Sequence, residues 1–182
     1  MSALATDREI VEFWEAAGPQ RWFSKDEAFD AEIRERFGET YRAAAAGRLD
    51  DWELTPQGSL ALLILLDQFP RNMFRGTKDV YRTDAPARLL AERAIERGHH
   101  KAFAPPMCRF FFLPFTHAED LAAQDRAIAL NEEAGDEDAL KWARHHREII
   151  ARFGRFPHRN ALLGRGTTPE EAAFLEESEF RG

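Results

Sequence analysis

Two stretches of this chain carry nearly the same set of forked cations and amides. Residues 69–77 read F-P-R-N-M-F-R-G-T, and residues 156–167 read F-P-H-R-N-A-L-L-G-R-G-T. A guanidinium is planar and can hold a carboxylate or phosphate through two parallel hydrogen bonds. Arg71, Arg75, Arg155 and Arg159, brought together, would clamp one anionic group, with Asn72 and Asn160 orienting it. Pro70 and Pro157 are expected to stop helices and to hold Phe69 and Phe156 extended, with both rings pinned inward. A structural reading competes: arginine and asparagine also satisfy the unpaired carbonyls at helix ends. The spacing alone leaves both open.

Proton transfer needs a group that titrates near neutrality, and His117 and His158 qualify by position, with His146, Asp67 and Glu119 expected as ligand contacts. His117 follows Thr116 at an expected helix start, where it shares a face with Asp120 and Gln124. Glu119 or Asp120 is its expected carboxylate partner, although a capping box and the helix dipole would also explain both acids. His158 lies inside the second corner. His146 falls on an apolar helical stripe, where a histidine is more often a satisfied core group than a reactive one. Asp67 closes an apolar helix, and a carboxylate there needs a partner; Arg71, four residues on, is the obvious one.

Sharper motifs are missing. There is no H-E-x-x-H or C-x-x-C pair, so zinc would require His117, His146 and His158 to converge with a distant carboxylate. No G-x-S-x-G elbow occurs, and Gly164-Arg165-Gly166-Thr167-Thr168 lacks the spacing and lysine of a phosphate loop. No metal or cofactor is implied.

The elements that must position these groups are helical. Thr6 with Glu9 and Ser24 with Glu27 read as capping boxes, opening helices with Ile10, Phe13 and Trp14 on one stripe and Phe29, Ile33, Phe37 and Tyr41 on another. Thr55-Pro56 opens a third helix, apolar on nearly every side from Leu60 to Phe69 and therefore central, ending at Pro70. Asp84-Ala85-Pro86 starts a fourth. Met107 to Leu113 is short, aromatic and ambiguous between helix and strand. Thr116 with Glu119 should cap the next, Asp136 the one carrying Trp142, His146 and Phe153, and Thr168 with Glu171 the last. The pattern predicts one all-α domain over residues 1–182, about eight helices in antiparallel hairpins.

Composition bounds the function. A chain of 182 residues should bury about 70% of its unfolded surface as one domain. A net charge of −7 argues against a nucleic-acid partner. Six arginines and three histidines nevertheless lie between Arg144 and Arg165, with Glu148 the only acid. Acids concentrate instead at 26–39, 119–138 and 170–179. A local cationic zone on an acidic chain suits a small anion better than a polymer. The longest apolar run, Leu60 to Leu66, is too short to span a membrane, and Met1 to Trp14 shows no secretory signal. A single cysteine, Cys108, fits a reducing cytoplasm and reads as a buried thiol.

Several phrases also resemble the bacterial domain family of unknown function numbered 924. These are Trp22-Phe23 with Phe29-Asp30, the run from Leu65 to Arg75, Leu113-Pro114-Phe115-x-His117-x-Glu119-Asp120, and the run from His146 to Asn160. Gly164-Arg165-Gly166-Thr167 stays close to that family's Gly-Arg-x-Ser/Thr pattern. The resemblance runs from about Ile10 to Leu175. It implies a right-handed, tetratricopeptide-like array of helical hairpins and brings no established activity.

Two expectations follow for function. The first is a site for a small phosphate- or carboxylate-bearing molecule enclosed by the corners, with hydrolase or lyase chemistry driven by His117 or His158. The second is an interaction module holding a peptide or protein partner in an open groove. Oligomeric state is not legible in the residues.

Overall fold

The computed structural model describes residues 4–177, so the last residues of the acidic stretch 170–179 lie outside it. Among the described residues the chain is helical, with no strand, and no helix is long and apolar enough to cross a membrane. Helix α1 (Asp7–Ala17) starts with the expected box: Thr6 N–H donates to Glu9 at 2.7 Å, and Glu9 N–H donates back to Thr6 Oγ1 at 3.3 Å. Its Ile10 and Trp14 are fully buried. After the single turn α2 (Pro19–Trp22), helix α3 (Glu27–Ala45) turns Phe29, Ile33, Phe37 and Tyr41 into the core.

The cap of α3 is Asp26, not Ser24. Asp26 is extended and its carboxylate accepts from Phe29 N–H at 3.0 Å, while Ser24 only reaches the Arg21 carbonyl. A charged acceptor at the correct offset outcompetes a hydroxyl two residues earlier. Thr55 caps α4 (Pro56–Leu63) as expected, accepting from Gly58 N–H at 3.0 Å. Position 58 admits only glycine, because a Cβ there would sit 2.1 Å from the Trp52 carbonyl oxygen.

Pro70 does not end this segment. The chain runs from α4 through one π-helical turn (Ile64–Gln68) into α5 (Phe69–Met73), and Phe69 is itself helical rather than extended. In an α-helix Pro70 would owe an N–H to the Leu66 carbonyl and crowd it. The wider turn relieves the clash, and Leu66 accepts instead from the Thr83 hydroxyl at 2.5 Å. Thr83→Val, which keeps shape but deletes that donor, should cost about 1–3 kcal/mol in urea unfolding.

The α4–α5 segment is the central element, buried on all sides. It packs on α1, on α3 and on α6 (Asp84–Glu96). Met107 to Phe111 forms a tight 3-10 turn of buried residues, with Cys108 inside it, and leads into α7 (Leu113–Thr116). Thr116 closes that turn instead of opening a helix. The cap of α8 (Leu121–Ala134) is Asp120, whose carboxylate accepts from Ala123 N–H at 2.8 Å. Pro114 at the start of α7 has already committed residues 113–116 to their own turn, which leaves the carboxylate as the next competent cap.

Helix α9 (Glu137–Phe153) returns antiparallel to α8 across Gly135, which is left-handed (φ +68°), and Asp136. The last helix, α10 (Pro169–Glu177), carries the expected Thr168–Glu171 box. It docks beside a smaller apolar cluster of Ile149, Ile150 and Phe156.

Candidate functional site

The first corner divides its polar side chains between Asp30 on one side and the pair Asp67 and Asp84 on the other. Asn72 donates to Asp30 at 2.7 Å, and Arg75 forks onto the same carboxylate at 2.8 and 3.2 Å. These bonds fasten α5 to α3. Arg71 points the other way, 3.4 Å from Asp67, and forks onto Asp84 at 3.1 and 3.3 Å. The expected i, i+4 partner of Asp67 is therefore present, joined by a second acid from the start of α6.

The second corner divides in the same manner. Phe156 is extended, as expected, and fully buried. Arg155 forks onto buried Glu171 at 2.6 and 2.9 Å, and Asn160 donates to that acid at 3.2 Å. Glu119 takes a fork from Arg165 at 2.6 and 2.9 Å and accepts from Phe156 N–H at 2.8 Å. Arg155, Asn160 and Glu119 thus hold α10 and the 160–168 loop in place and do not line the cavity described below. Of the arginines here, only Arg159 turns inward, beside His158. It lies 3.5 Å from Asp84, donates to the His117 carbonyl at 2.9 Å, and is sandwiched by the rings of Tyr81 and Phe156 at 4.5 and 4.6 Å.

Asp84 therefore joins the two corners, with Arg71 on one side and Arg159 on the other. Beside this bridge, His117 Nδ1 is 2.8 Å from Asp67 Oδ1, and the carboxylate is only 1% exposed. The other Asp67 oxygen accepts from the Gln68 amide. The partner of His117 is Asp67, fifty positions earlier in the chain, and not Asp120 or Glu119. Asp120 is spent on its cap and Glu119 on Arg165.

These groups form the polar end of a cavity of about 540 Å³, lined there by Arg71, Tyr81, His117, His146, His158 and Arg159. The ring of Phe156 lies under three of them, 5.5 Å from His146, 5.6 Å from His158 and 4.6 Å from the Arg159 guanidinium. Asn72 and Arg75 border the same cavity while keeping their bonds to Asp30.

Charge is distributed unevenly. Burial alone would raise the Asp67 carboxyl, but the Arg71 charge and then His117 pull it down to about 2. Burial and the neighbouring Arg71 lower His117, against the pull of Asp67. At neutral pH the pair is therefore a carboxylate and a neutral imidazole. Nδ1–H must donate to Asp67, which leaves the Nε2 lone pair as the basic atom. Burial likewise takes His146 and His158 to about 3, helped at His158 by Arg159. Burial lowers Arg159 as well, only partly offset by Asp84. Arg159 Nε has no acceptor among the described residues, whereas Arg71 is held by two carboxylates. No group of three metal-type ligands occurs among the described residues.

Asp84 and Tyr81 were not singled out from the sequence as site residues. An acid in the first turn of a helix is already explained by the dipole, so Asp84 carries no excess signal. Tyr81 is one of two tyrosines, and its contact with Arg159 spans 78 positions.

No curated protein matches the chain. Among solved structures it is similar to ATU0120 from Agrobacterium tumefaciens, described as a protein of unknown function. The two share 52% identity with a TM-score of 0.92, over 94% of this chain and 97% of that one. A family described as bacterial proteins of unknown function (DUF924) matches residues 10–179. With nearly the whole length matched, the chain that joins two arginine corners through Asp84 belongs to that family.

Proposed function

We propose that the cavity binds a small molecule bearing a carboxylate or phosphate and that His117, oriented by Asp67, moves a proton to or from it. One observation carries the reading: Arg71 and Arg159, from corners far apart in sequence, meet across Asp84 beside the His117–Asp67 pair. Arg159 is the receptor for the anion, since it is buried with the fewest bonds to its own chain. A ligand carboxylate there would offset the cost of burying that charge. Arg71 sets the far side of the bridge.

His117 acts as general base through Nε2. It takes a proton from a water or from a carbon beside the ligand's anionic group, and Asp67 stabilises the imidazolium that results. Asp67 is a positioning residue in this scheme. Hydrolase and lyase steps both begin in this way. His158, neutral and adjacent to Arg159, is the second candidate for proton transfer. The single buried thiol, Cys108, suits a cytoplasmic setting.

The interaction-module reading needs an open groove with its anchors spread along it. Here the polar groups converge in one cavity whose volume is in the small-molecule range. The tetratricopeptide-like arrangement draws some support from the α8–α9 hairpin, but α4 packs on α1 and α6 across sequence rather than in consecutive pairs.

A thermal-shift screen against phosphate, sulfate and small carboxylates tests the reading. An anion at a hundred times its Kd should add about 2.7 kcal/mol, or about 5–10 °C for a chain of this size. Arg159→Gln should abolish that shift. If no anion raises the melting temperature of the wild-type protein, the site is a structural cluster only.

A further inference from the structure

The cavity holds far more than an anion. Its volume of about 540 Å³ equals that of about eighteen molecules of bulk water, whereas acetate or phosphate would displace only a few. Away from the arginines the lining is mainly apolar, with Trp22, Phe23, Val80, Leu113, Trp142 and Leu162 among a few polar groups such as Ser24, Asn131 and Asp138. Trp22 is fixed, buried and donating through Nε1 to the Trp14 carbonyl at 2.6 Å. Phe23 and Trp142 are not buried; they remain 58% and 49% exposed. They come from separate elements, the turn after α2 and the middle of α9, yet both border the same cavity. Large apolar rings left in water on the wall of a cavity that ends in buried cations mark a place for an apolar body.

The polar end also restricts the charge of the head group. Arg71 and Arg159 face Asp67 and Asp84, so the formal charges of the cluster cancel. A dianion would meet two carboxylates with no spare cation, while a monoanion needs only the under-used Arg159 fork. We infer that the ligand is an amphipathic organic monocarboxylate, its carboxylate on Arg159 and its aliphatic or aromatic body against Phe23 and Trp142. This deepens the reading above and rests on it.

Isothermal titration of the full chain with acetate, butyrate, hexanoate and octanoate tests the inference, with hexanamide and octyl phosphate as controls. Affinity should rise about two- to fourfold per added methylene. Hexanamide should bind at least about tenfold more weakly than hexanoate. Trp142→Ala, at a half-exposed position that folding should tolerate, is expected to flatten the chain-length dependence while sparing acetate. Phe23→Ala should do the same independently. Arg159→Gln should weaken every carboxylate by a similar factor.

Equal affinity for acetate and octanoate would overturn the amphipathic ligand and leave the small-anion site standing. Tighter binding of octyl phosphate than of octanoate would overturn the monocarboxylate. No binding of any carboxylate, together with no response to phosphate or sulfate, would remove the underlying site as well.

Discussion

Asp67→Ala should lower the unfolding free energy by about 3–5 kcal/mol. Its carboxylate is 1% exposed and serves His117, Arg71 and the Gln68 amide together. Truncation leaves a guanidinium and an imidazole facing each other at the polar end of the cavity with no carboxylate between them. Urea unfolding at pH 7 measures the loss, and an unchanged m value would show that the fold is otherwise intact.

Asp67→Asn separates charge from shape. In the folded protein the Asp67 carboxyl titrates at about 2, against 3.8 for a free aspartate. A depressed carboxyl stabilises the fold fully above its unfolded pKa, and that contribution disappears as pH falls through the folded one. Acid should therefore remove about 2 kcal/mol from the wild type between pH about 4 and about 2. Glu171 also titrates low and loses its own contribution in acid. The difference between wild type and Asp67→Asn isolates Asp67, and it should shrink across that window. A constant difference from pH 5 to pH 2 would contradict the assignment of the charge.

Asp136→Ala is expected to cost a similar amount, about 3–5 kcal/mol, for a different reason. This carboxylate caps α9 by accepting from Ala139 N–H at 3.1 Å, and it holds the Arg109 fork at 2.8 and 3.0 Å. Both partners are over nine-tenths buried. Alanine loses the cap and leaves the buried arginine with only the exposed Asp138, 3.5 Å away. Asn caps about as well as Asp, so Asp136→Asn should recover roughly 1 kcal/mol of the loss. Adding Arg109→Met to that variant removes the stranded charge and should recover most of the rest. Because α9 carries Trp142 and His146, the alanine variant should also broaden the cavity response in any ligand titration. Circular dichroism melts of the four proteins supply the stabilities.

The helices were legible because their signals are local. Thr6 with Glu9 and Thr168 with Glu171 close reciprocal bonds three residues apart, and no tertiary partner is needed to see them. The stripe from Phe29 to Tyr41 and the all-round apolarity of Leu60 to Leu66 placed α3 and the central helix for the same reason. Errors arose where two local signals competed. Ser24 yielded to Asp26 and Thr116 to Asp120, in each case because a carboxylate a few residues on had the better geometry. Pro70 misled because a wider helical turn, supported by Thr83 from another element, absorbs a residue that an ideal helix rejects.

The site was legible only in part. The repetition of Phe-Pro and Arg-Asn pointed to Arg71 and Arg159, and these two do meet at Asp84. It could not sort them from Arg75 and Arg155, which carry the same side chain but face Asp30 and Glu171. Which way an arginine turns depends on where an acid 13 to 75 positions away has been placed. The link from His117 to Asp67 is of the same kind.

The bond from Arg159 to the His117 carbonyl spans 42 positions, and Arg159 reaches Asp84 across 75. Helices α1 to α6 can assemble their shared interior while the segment beyond Gly154 is still being synthesised. The hollow gains its second cation only when the ribosome has released that segment. The bridge across Asp84 is thus completed only after the first corner and α6 have been made.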